Sequence, residues 1–307
     1  MKKINLADLS LYRGAVAPGE RMNDGLTAFY AKLPNWEIRS KCPAGVQLVF
    51  DTDSRNLRWS CSFGESENKI YTTDILVNET RFTFDGAGPH TLELPEGENR
   101  IVVYFPHLAI VTDYALELDD AARIRAVPAD RPKLLLCGDS ISQGWISSSP
   151  CRSYAVMTAQ SLQLDLHNVS VAGTTLLPEI VEHSLEIEAD LAVLALGIND
   201  IGHNTKLEVF RKRLIKVMTM LSKYAGKTAV ITPIPTTLEH LEKQRPQLCQ
   251  TFREIHRDFP EITLIEGESF FPADPALLVD GLHPNDRGME VYAAGLIEAL
   301  RPLCCSD

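Results

Sequence analysis

One apolar run that ends abruptly at a polar turn constrains the fold of this chain more than any other feature. The run Leu134–Cys137 has the length of a buried strand, and Gly138, Asp139 and Ser140 follow it directly. Short apolar runs bounded by turn residues are typical of strands inside a parallel sheet. In open parallel sheets, reacting groups sit beyond the carboxyl ends of the strands. The run therefore places Ser140 where a nucleophile would stand, although a plain turn followed by a capping serine also fits these residues alone.

Strand and helix patterns alternate from this run to the end of the chain. Four more strands are predicted at His167–Val171, Leu191–Leu196, Thr228–Thr232 and Ile262–Ile265. Helices are predicted around Ser153–Leu162, Leu177–Ile187, 207–221, Glu239–His256 and 289–300, and the apolar residues of two of them recur at steps of three and four. Five such units predict an α/β fold, a doubly wound parallel sheet with helices on both faces. We call residues 128–307 the α/β domain.

Residues 1–127, which we call the β-domain, have a different pattern. Short β-rich runs follow one another between turn signals at Val46–Phe50, Leu57–Cys61, Ile70–Val77, Arg81–Phe84, His90–Leu94, Arg100–Phe105 and Tyr114–Leu118. Regular short strands predict a β-sandwich or jelly roll, and no helical period of useful length is present. Residues 121–133, with two prolines and mixed charge, are predicted to be a linker.

Composition and charge exclude several classes of partner. The 307 residues carry a net charge of -11 without a basic patch, which argues against nucleic acid or an anionic membrane as partner. The N-terminus has no apolar segment of the signal-peptide type, and no window is long and apolar enough for a membrane helix. Seven cysteines without paired or metal-ligand spacing predict a reducing, cytoplasmic location, with neither cofactor nor metal. The oligomeric state stays open.

Polar residues at later strand ends complete a set suited to acyl transfer, which needs a nucleophile, a base and a group that orients the base. Ser140 can be the nucleophile. His283, in the last loop, can accept its proton, because imidazole titrates in the neutral range. Asp280, three residues earlier, can hold the imidazole in the required tautomer. We therefore predict Ser140, Asp280 and His283 as catalytic residues.

The same reaction needs hydrogen-bond donors for an oxyanion. The candidates are the backbone N–H groups of Ser140 and Gly173 and the side-chain amide of Asn199. Gly173 follows the second strand, and a residue without a side chain lets substrate approach the backbone closely. Each of these motifs alone also fits an ordinary turn. Because they occupy successive loops at one edge of one sheet, together they predict a single site.

With these motifs the chain resembles the SGNH hydrolases, also called the GDSL esterase/lipase family. The resemblance rests on Gly138-Asp139-Ser140, on Gly173, on Gly197-Ile198-Asn199-Asp200 and on Asp280-Gly281-Leu282-His283-Pro284, and covers residues 133 to about 300. Ile141 stands where many members have leucine, which is a conservative change. The resemblance implies a flavodoxin-like three-layer α/β/α fold, hydrolysis of carboxylic esters and the residue roles given above.

The arrangement of the two domains is similar to two known kinds of SGNH protein. One is the two-domain carbohydrate esterases that remove acetyl groups from sugars, and the other is an acyltransferase of aromatic polyketide biosynthesis. The resemblance implies a serine esterase for short acyl, chiefly acetyl, esters of a carbohydrate or other polar alcohol. An acyltransferase with the same three residues and an acceptor other than water is the alternative. Sequence does not separate the two, because the shape of the acceptor site and the exclusion of water are three-dimensional.

Two further side chains are candidates for contact with substrate. Trp145 follows the nucleophile closely, and aromatic side chains are favoured on sugar-binding or acyl-binding surfaces. His203 follows the loop of Asn199. Trp59 could line such a surface or pack in the core. The substrate is expected to be a small molecule or a glycan ester, and the β-domain could bind the glycan or only shape the cleft.

Overall fold

Two antiparallel sheets dominate the N-terminal part of the computed structural model, which describes residues 1–304. The first sheet has the strand order β1 (Lys2–Lys3), β9 (Val111–Leu118), β4 (Asn56–Phe63), β7 (His90–Glu93). The second has the order β10 (Ile124–Ala126), β3 (Gln47–Thr52), β8 (Asn99–Tyr104), β5 (Thr72–Val77), β6 (Thr80–Asp85), and β2 (Tyr12–Arg13) pairs with β3.

The alternation of inward and outward side chains explains how these strands make a core. In β4, Leu57, Trp59 and Cys61 are buried while Arg58 between them is exposed. The Trp59 ring is fully buried and packs edge-on against Phe105 at a centroid distance of 5.4 Å. Trp59 is therefore a core residue, and the β-sandwich prediction is confirmed.

The expectation that the β-domain lacks helices is wrong. Helix α1 (Asp24–Tyr30) is capped by the Asn23 side chain, which accepts from Leu26 N, and α2 (Pro34–Lys41) follows it. Each helix has only about two turns, too short for an apolar period to stand out from the sequence. The predicted linker also differs in part, because β10 lies within it and pairs antiparallel with β3.

A five-stranded parallel sheet forms the centre of the α/β domain. Its order is β12 (Asp165–Asn168), β11 (Lys133–Gly138), β13 (Leu191–Ala195), β14 (Lys227–Ile231), β15 (Thr263–Ile265). Every neighbouring pair is parallel, as in the register of Leu136 opposite Val193. The first strand of this sheet lies between the second and third, which is the flavodoxin-like order, with a switch point beside β11. The predicted fold class is confirmed.

Helices cover both faces of this sheet: α3 (Ser140–Gln143), α4 (Tyr154–Ser161), α5 (Pro178–Ser184), α6 (Ile198–Gly202), α7 (Leu207–Leu221), α8 (Glu239–Glu242), α9 (Arg245–His256) and α10 (Asp286–Cys304). Single-turn 3₁₀ helices lie at Leu9–Leu11, Pro150–Arg152, Gly267–Ser269 and Pro275–Leu277. Apolar residues of α5, α7 and α9 pack on one face, and those of α4 and α10 on the other.

The single helix expected over 239–256 is two helices, because Pro246 cannot donate within a continuous helix and instead occupies the first turn of α9.

Helix α1 of the β-domain belongs to the core of the α/β domain, and Trp36 of α2 packs against that core. Met22, Leu26 and Tyr30 are buried in the same cluster as Ile180 of α5 and Val171. The boundary at residue 127/128 stays a prediction, but residues 22–30 pack across it. None of the helices within residues 1–304 combines the length and the apolar character that crossing a bilayer requires.

Candidate active site

The three residues predicted as catalytic are joined by a chain of hydrogen bonds. Nε2 of His283 lies 2.9 Å from Oγ of Ser140, and Nδ1 of His283 lies 2.7 Å from Oδ2 of Asp280. The other Asp280 oxygen accepts from the backbone N–H of Leu282 at 3.0 Å and of His283 at 2.8 Å. This arrangement lets imidazole take the proton of the serine hydroxyl while a carboxylate fixes its tautomer.

The position of Ser140 follows from the end of β11 and the cap of α3. Asp139 is the N-cap residue, and its Oδ1 accepts from Ile141 N at 3.0 Å, so that Ser140 becomes the first helical residue. The helix has a single turn and ends at Gln143, and the capping residue Gly144 has a φ of 86° in the left-handed region. Ser140 is buried, with 5% of the residue exposed.

Two opposing effects set the pKa of Asp280. Burial alone would raise this pKa, but hydrogen bonds from the backbone and ring of His283, together with the charge of that ring, outweigh it. The pKa of Asp280 therefore lies below its ordinary value. The carboxylate stays ionised wherever the imidazole can act as a base.

The predicted oxyanion donors lie on two loops that are bonded to each other. The Asn199 side-chain amide donates to Thr174 O at 3.0 Å, next to Gly173. On the other side, Gln143 of α3 accepts from Ala172 N at 2.8 Å, which ties the same loop to the helix of Ser140. The structure thus brings together the segments that carry all three donors, and their catalytic role stays a prediction.

Gly173 is enclosed by side chains of the β-domain. Its φ is 83°, and a Cβ built on it would lie 2.8 Å from Nη1 of Arg39 and 3.3 Å from Nε1 of Trp36. The positive φ favours glycine here, and a larger residue would also have to displace the end of the Arg39 side chain. Trp36 and Arg39 stand on α2, so the wall beside the predicted oxyanion donors comes from the β-domain. No local signal in the sequence indicates this contact, because more than 130 residues separate the two segments.

The segment that follows α3, residues 144–151, is also held by the β-domain. Four hydrogen bonds connect them: His107 Nε2 with Gly144 O at 3.1 Å, Asn68 Nδ2 with Trp145 O, Thr72 Oγ1 with Ser148 O at 3.0 Å, and Cys151 N with Asp74 Oδ2 at 2.7 Å. Burial lowers the pKa of His107 to about 4, so this contact is made by a neutral ring. The segment next to the helix of Ser140 is therefore fixed by the β-domain.

The two predicted substrate contacts have different surroundings. Trp145 is half-buried, donates its backbone N–H to Ser140 O at 2.9 Å, and stacks on the Arg39 guanidinium with its ring centre 5.0 Å from Cζ. His203 is exposed at the end of α6. Both roles stay predictions.

Two buried carboxylates lie beneath the site. Burial, together with the nearby charge of Asp200, raises the pKa of Asp139 to about 7. Burial also raises the pKa of Asp200, whose Oδ2 accepts from Leu176 N at 2.7 Å. Asp200 thereby supports the loop that begins at Gly173. Among residues 1–304, no group of three His, Cys, Asp or Glu side chains is suited to holding a metal ion.

A family model decides how this geometry is to be interpreted. The model of the GDSL-like lipase/acylhydrolase family matches residues 136–291, which include Ser140, Gly173, Asn199, Asp280 and His283. The chain belongs to this family. It is therefore an ester-hydrolysing serine hydrolase, as predicted from the motifs.

Solved structures similar to this GDSL hydrolase share its two-domain fold. A protein of Bacteroides ovatus described as a GDSL-like lipase is 18% identical, with 95% of each chain covered and a TM-score of 0.78. The salicylyl-acyltransferase SsfX3 of a tetracycline biosynthetic pathway is 19% identical over 98% of this chain and 97% of its own, with a TM-score of 0.74. An acetyl xylan esterase of the rumen bacterium Butyrivibrio proteoclasticus is 16% identical over 84% and 89%, with a TM-score of 0.61. No curated protein sequence matches the chain significantly.

Proposed function

We propose that the protein hydrolyses short-chain acyl, chiefly acetyl, esters of a carbohydrate or another polar alcohol through an acyl-enzyme on Ser140. The observation that carries the proposal is the bonded series Ser140–His283–Asp280 at the carboxyl edge of the parallel sheet. A hydroxyl, an imidazole and a carboxylate at these distances can carry out both halves of an acyl transfer.

In the first half, Oγ of Ser140 attacks the ester carbonyl carbon while Nε2 of His283 accepts the hydroxyl proton. The carbonyl oxygen becomes an oxyanion, which receives hydrogen bonds from the N–H groups of Ser140 and Gly173 and from the Asn199 amide. When the tetrahedral intermediate collapses, the alcohol leaves with the proton held by His283. The acyl group stays on Ser140 as an ester.

In the second half, a water molecule attacks the acyl-enzyme and gives one proton to His283. The second intermediate collapses, Ser140 recovers a proton from His283, and the carboxylic acid is released. Asp280 stays ionised throughout and stabilises the imidazolium that forms twice in each cycle.

The walls around Ser140 support a polar alcohol as the leaving group. The rings of Trp36 and Trp145 are half-buried, Trp36 beside Gly173 and Trp145 just after the helix of Ser140, and the imidazole of His203 is exposed at the end of α6. Aromatic and polar side chains in combination suit sugar-like ligands, and ligand sites favour domain interfaces. The similarity in fold to an acetyl xylan esterase agrees with such a substrate.

A panel of esters tests the proposal. Fluorophosphonate should label the protein on Ser140, and Ser140→Ala should abolish both labelling and turnover. The ratio kcat/KM should be highest for acetyl esters and fall steeply towards octanoyl esters of the same alcohol, and an acetylated xylose should be deacetylated. Equal turnover of acetyl and octanoyl esters would contradict the substrate class, whereas labelling that survives in Ser140→Ala would contradict the nucleophile.

An acyltransferase is the second candidate, favoured by the full-length similarity in fold to a salicylyl-acyltransferase. Both reactions share the first half, so the discriminating measurement is the fate of the acyl-enzyme. We expect its rate of breakdown in water to match kcat. A slow breakdown that accelerates when a polar alcohol or amine is added, with transfer of the acyl group to it, would instead show a transferase.

A further inference from the structure

One peptide unit of the site is fixed by a residue from the other domain. The N–H of Gly173, a predicted oxyanion donor, belongs to the same planar peptide group as the carbonyl of Ala172. In a trans peptide these two groups point in opposite directions, so whatever holds the carbonyl also aims the N–H. The Ala172 oxygen accepts a hydrogen bond of 2.8 Å from Nη1 of Arg39.

Each of the three guanidinium nitrogens of Arg39 donates to a protein group. Its Nη1 holds the Ala172 carbonyl, while Nε and Nη2 both donate to Oε2 of Glu67, at 3.0 and 2.5 Å. One face stacks on the ring of Trp145. The side chain is 18% exposed. These contacts leave the guanidinium poorly placed to bind an anionic group of a substrate, and its charge is already balanced by Glu67.

The backbone of Arg39 is fixed as firmly as its side chain. Its carbonyl accepts from Nε2 of Gln143 at 2.9 Å and from Nη2 of Arg21 at 3.0 Å. Arg21 is 2% exposed and also donates from Nη1 to the carbonyls of Asn168 and Ser170, both at 2.8 Å. Helix α2 is thereby anchored to β12 and to the residues after it, next to the loop of Gly173.

The side chain of Gln143 bonds both to Ala172 and to Arg39. Its Oε1 accepts from Ala172 N at 2.8 Å while its Nε2 donates to Arg39 O. The N–H and the C=O of Ala172 are thus held by the side chains of Gln143 and Arg39, and Gln143 is in turn bonded to the backbone of Arg39. Because Gln143 is on the same helix as Ser140, these bonds fix the position of the Gly173 peptide relative to Ser140.

We propose that Arg39 of the β-domain is a positioning residue for the reaction: by holding the Ala172 carbonyl, it aims and polarises the Gly173 N–H towards the oxyanion that forms at Ser140. A cation on the carbonyl oxygen of a peptide strengthens the N–H as a donor through polarisation. The inference rests on the proposed acyl-enzyme at Ser140. It assigns to the β-domain a role in the chemical step beyond shaping the cleft.

The roles that compete for Arg39 differ in the kinetic parameter they affect. A residue that aims a donor at a transition-state charge changes kcat with little effect on KM, because the oxyanion is absent in the ground state. A residue that binds the alcohol part of the substrate changes KM. A residue that only supports the fold changes stability and leaves the kinetics of the folded fraction unaltered.

The test uses the full-length protein and a neutral aryl acetate. Arg39→Ala should lower kcat by about 10–10²-fold, somewhat less than complete loss of an oxyanion donor, with KM within about threefold of wild type. Arg39→Lys keeps a charge but lacks the planar fork, so it should give an intermediate kcat. Guanidinium, added to Arg39→Ala far below denaturing concentrations, should restore part of kcat. The matched control is Arg58→Ala, which removes another arginine–glutamate pair of the β-domain, the one with Glu117, and should leave kcat unchanged.

The outcomes separate this inference from the proposed function. Unchanged kcat in folded Arg39→Ala, or an effect on KM alone, overturns the positioning role while the acyl-enzyme mechanism stands. If Arg39→Ala does not fold, Arg39→Lys decides, and wild-type kcat in that variant overturns the role. Turnover that persists in Ser140→Ala shows that the proposed function has failed, and the role of Arg39 at Ser140 fails with it.

Discussion

The two domains meet at the candidate site with different kinds of residues. The α/β domain contributes the residues proposed to react, and one of them, Asp280, has a side chain that is 50% exposed. The β-domain contributes side chains that are buried and bonded several times, such as Arg21, which is 2% exposed and reaches four backbone carbonyls. From this contrast we expect the α/β domain to supply the reacting groups and the β-domain to fix their geometry.

Substitutions on the two sides of the site can test this division of roles. If the division is right, substitutions in the strand-end loops lower kcat of the folded protein with little loss of stability. Substitutions at buried polar residues of the β-domain interface lower stability with little change in kcat. Among the β-domain residues, we expect only Arg39 to affect kcat.

Asp280→Asn should have the largest effect, lowering kcat by up to about 10⁴-fold, because an amide no longer fixes the tautomer of His283 or balances its charge. The unfolding midpoint should change little. The matched control is Asp274→Asn, an exposed aspartate six residues earlier that caps Ala276 N in a similar way, and it should keep wild-type kcat. A wild-type rate in Asp280→Asn would remove Asp280 from the mechanism.

Asn199→Ala should lower kcat by about 10²–10³-fold, or about 3–4 kcal/mol, with KM nearly unchanged, because the amide is proposed to bind charge that exists only in the transition state. Steady-state kinetics on an acetyl ester measures both parameters. An effect of Asn199→Ala on KM alone would reassign the amide to ground-state binding.

The companion variant His203→Ala should raise KM for a sugar acetate without lowering kcat, because this exposed ring is predicted to contact substrate.

Asp139→Asn tests a buried carboxylate of the α/β domain. Burial raises the pKa of Asp139 to about 7 in the folded protein, above the ordinary 3.8, so the folded state binds the proton more tightly. The stability from this group is fully present below pH 3.8 and is lost as pH rises towards 7, at a rate of up to about 1.4 kcal/mol per pH unit.

The variant cannot ionise and should not show this loss. Urea unfolding at several pH values measures the free energy of unfolding of both proteins. The amount by which Asp139→Asn exceeds wild type should grow between pH 5 and pH 7 and level off above pH 8. A difference that is constant across this range would mean that Asp139 is ionised throughout.

Asp74→Ala tests a buried carboxylate of the β-domain and should have the smallest effect. Asp74 is fully buried and accepts from Cys151 N at 2.7 Å and from Thr83 Oγ1 at 2.6 Å. Its loss leaves buried donors unpaired, at a cost of about 1–3 kcal/mol in the free energy of unfolding, while kcat of the folded protein stays within about threefold. Asp113→Ala, an exposed aspartate on β9, is the control and should leave both unchanged. A large loss of kcat in Asp74→Ala would show that the separation between the two domains fails here.

Much of the α/β domain could be predicted from the sequence because its signals are local. The apolar run at Leu134–Cys137 and the turn after it specify a strand and the position of Ser140 within a few residues. Parallel topology then brings the carboxyl ends of successive strands to one edge, so that the loops of Gly173 and Asn199 could be assigned to the same site without coordinates. The family resemblance followed from the same short motifs.

Only the tertiary structure decided what surrounds these residues. Helices α1 and α2 are too short to show a period, and α1 is buried against a surface formed by α5 and the parallel sheet, far along the chain. The contact of Arg39 with Ala172 joins residues 133 positions apart, through a side chain whose sequence neighbours look like those of any exposed arginine. A local pattern records which face of a strand is apolar and where a turn falls. It does not record which distant group satisfies a given carbonyl, because that depends on how two separately formed surfaces pack together.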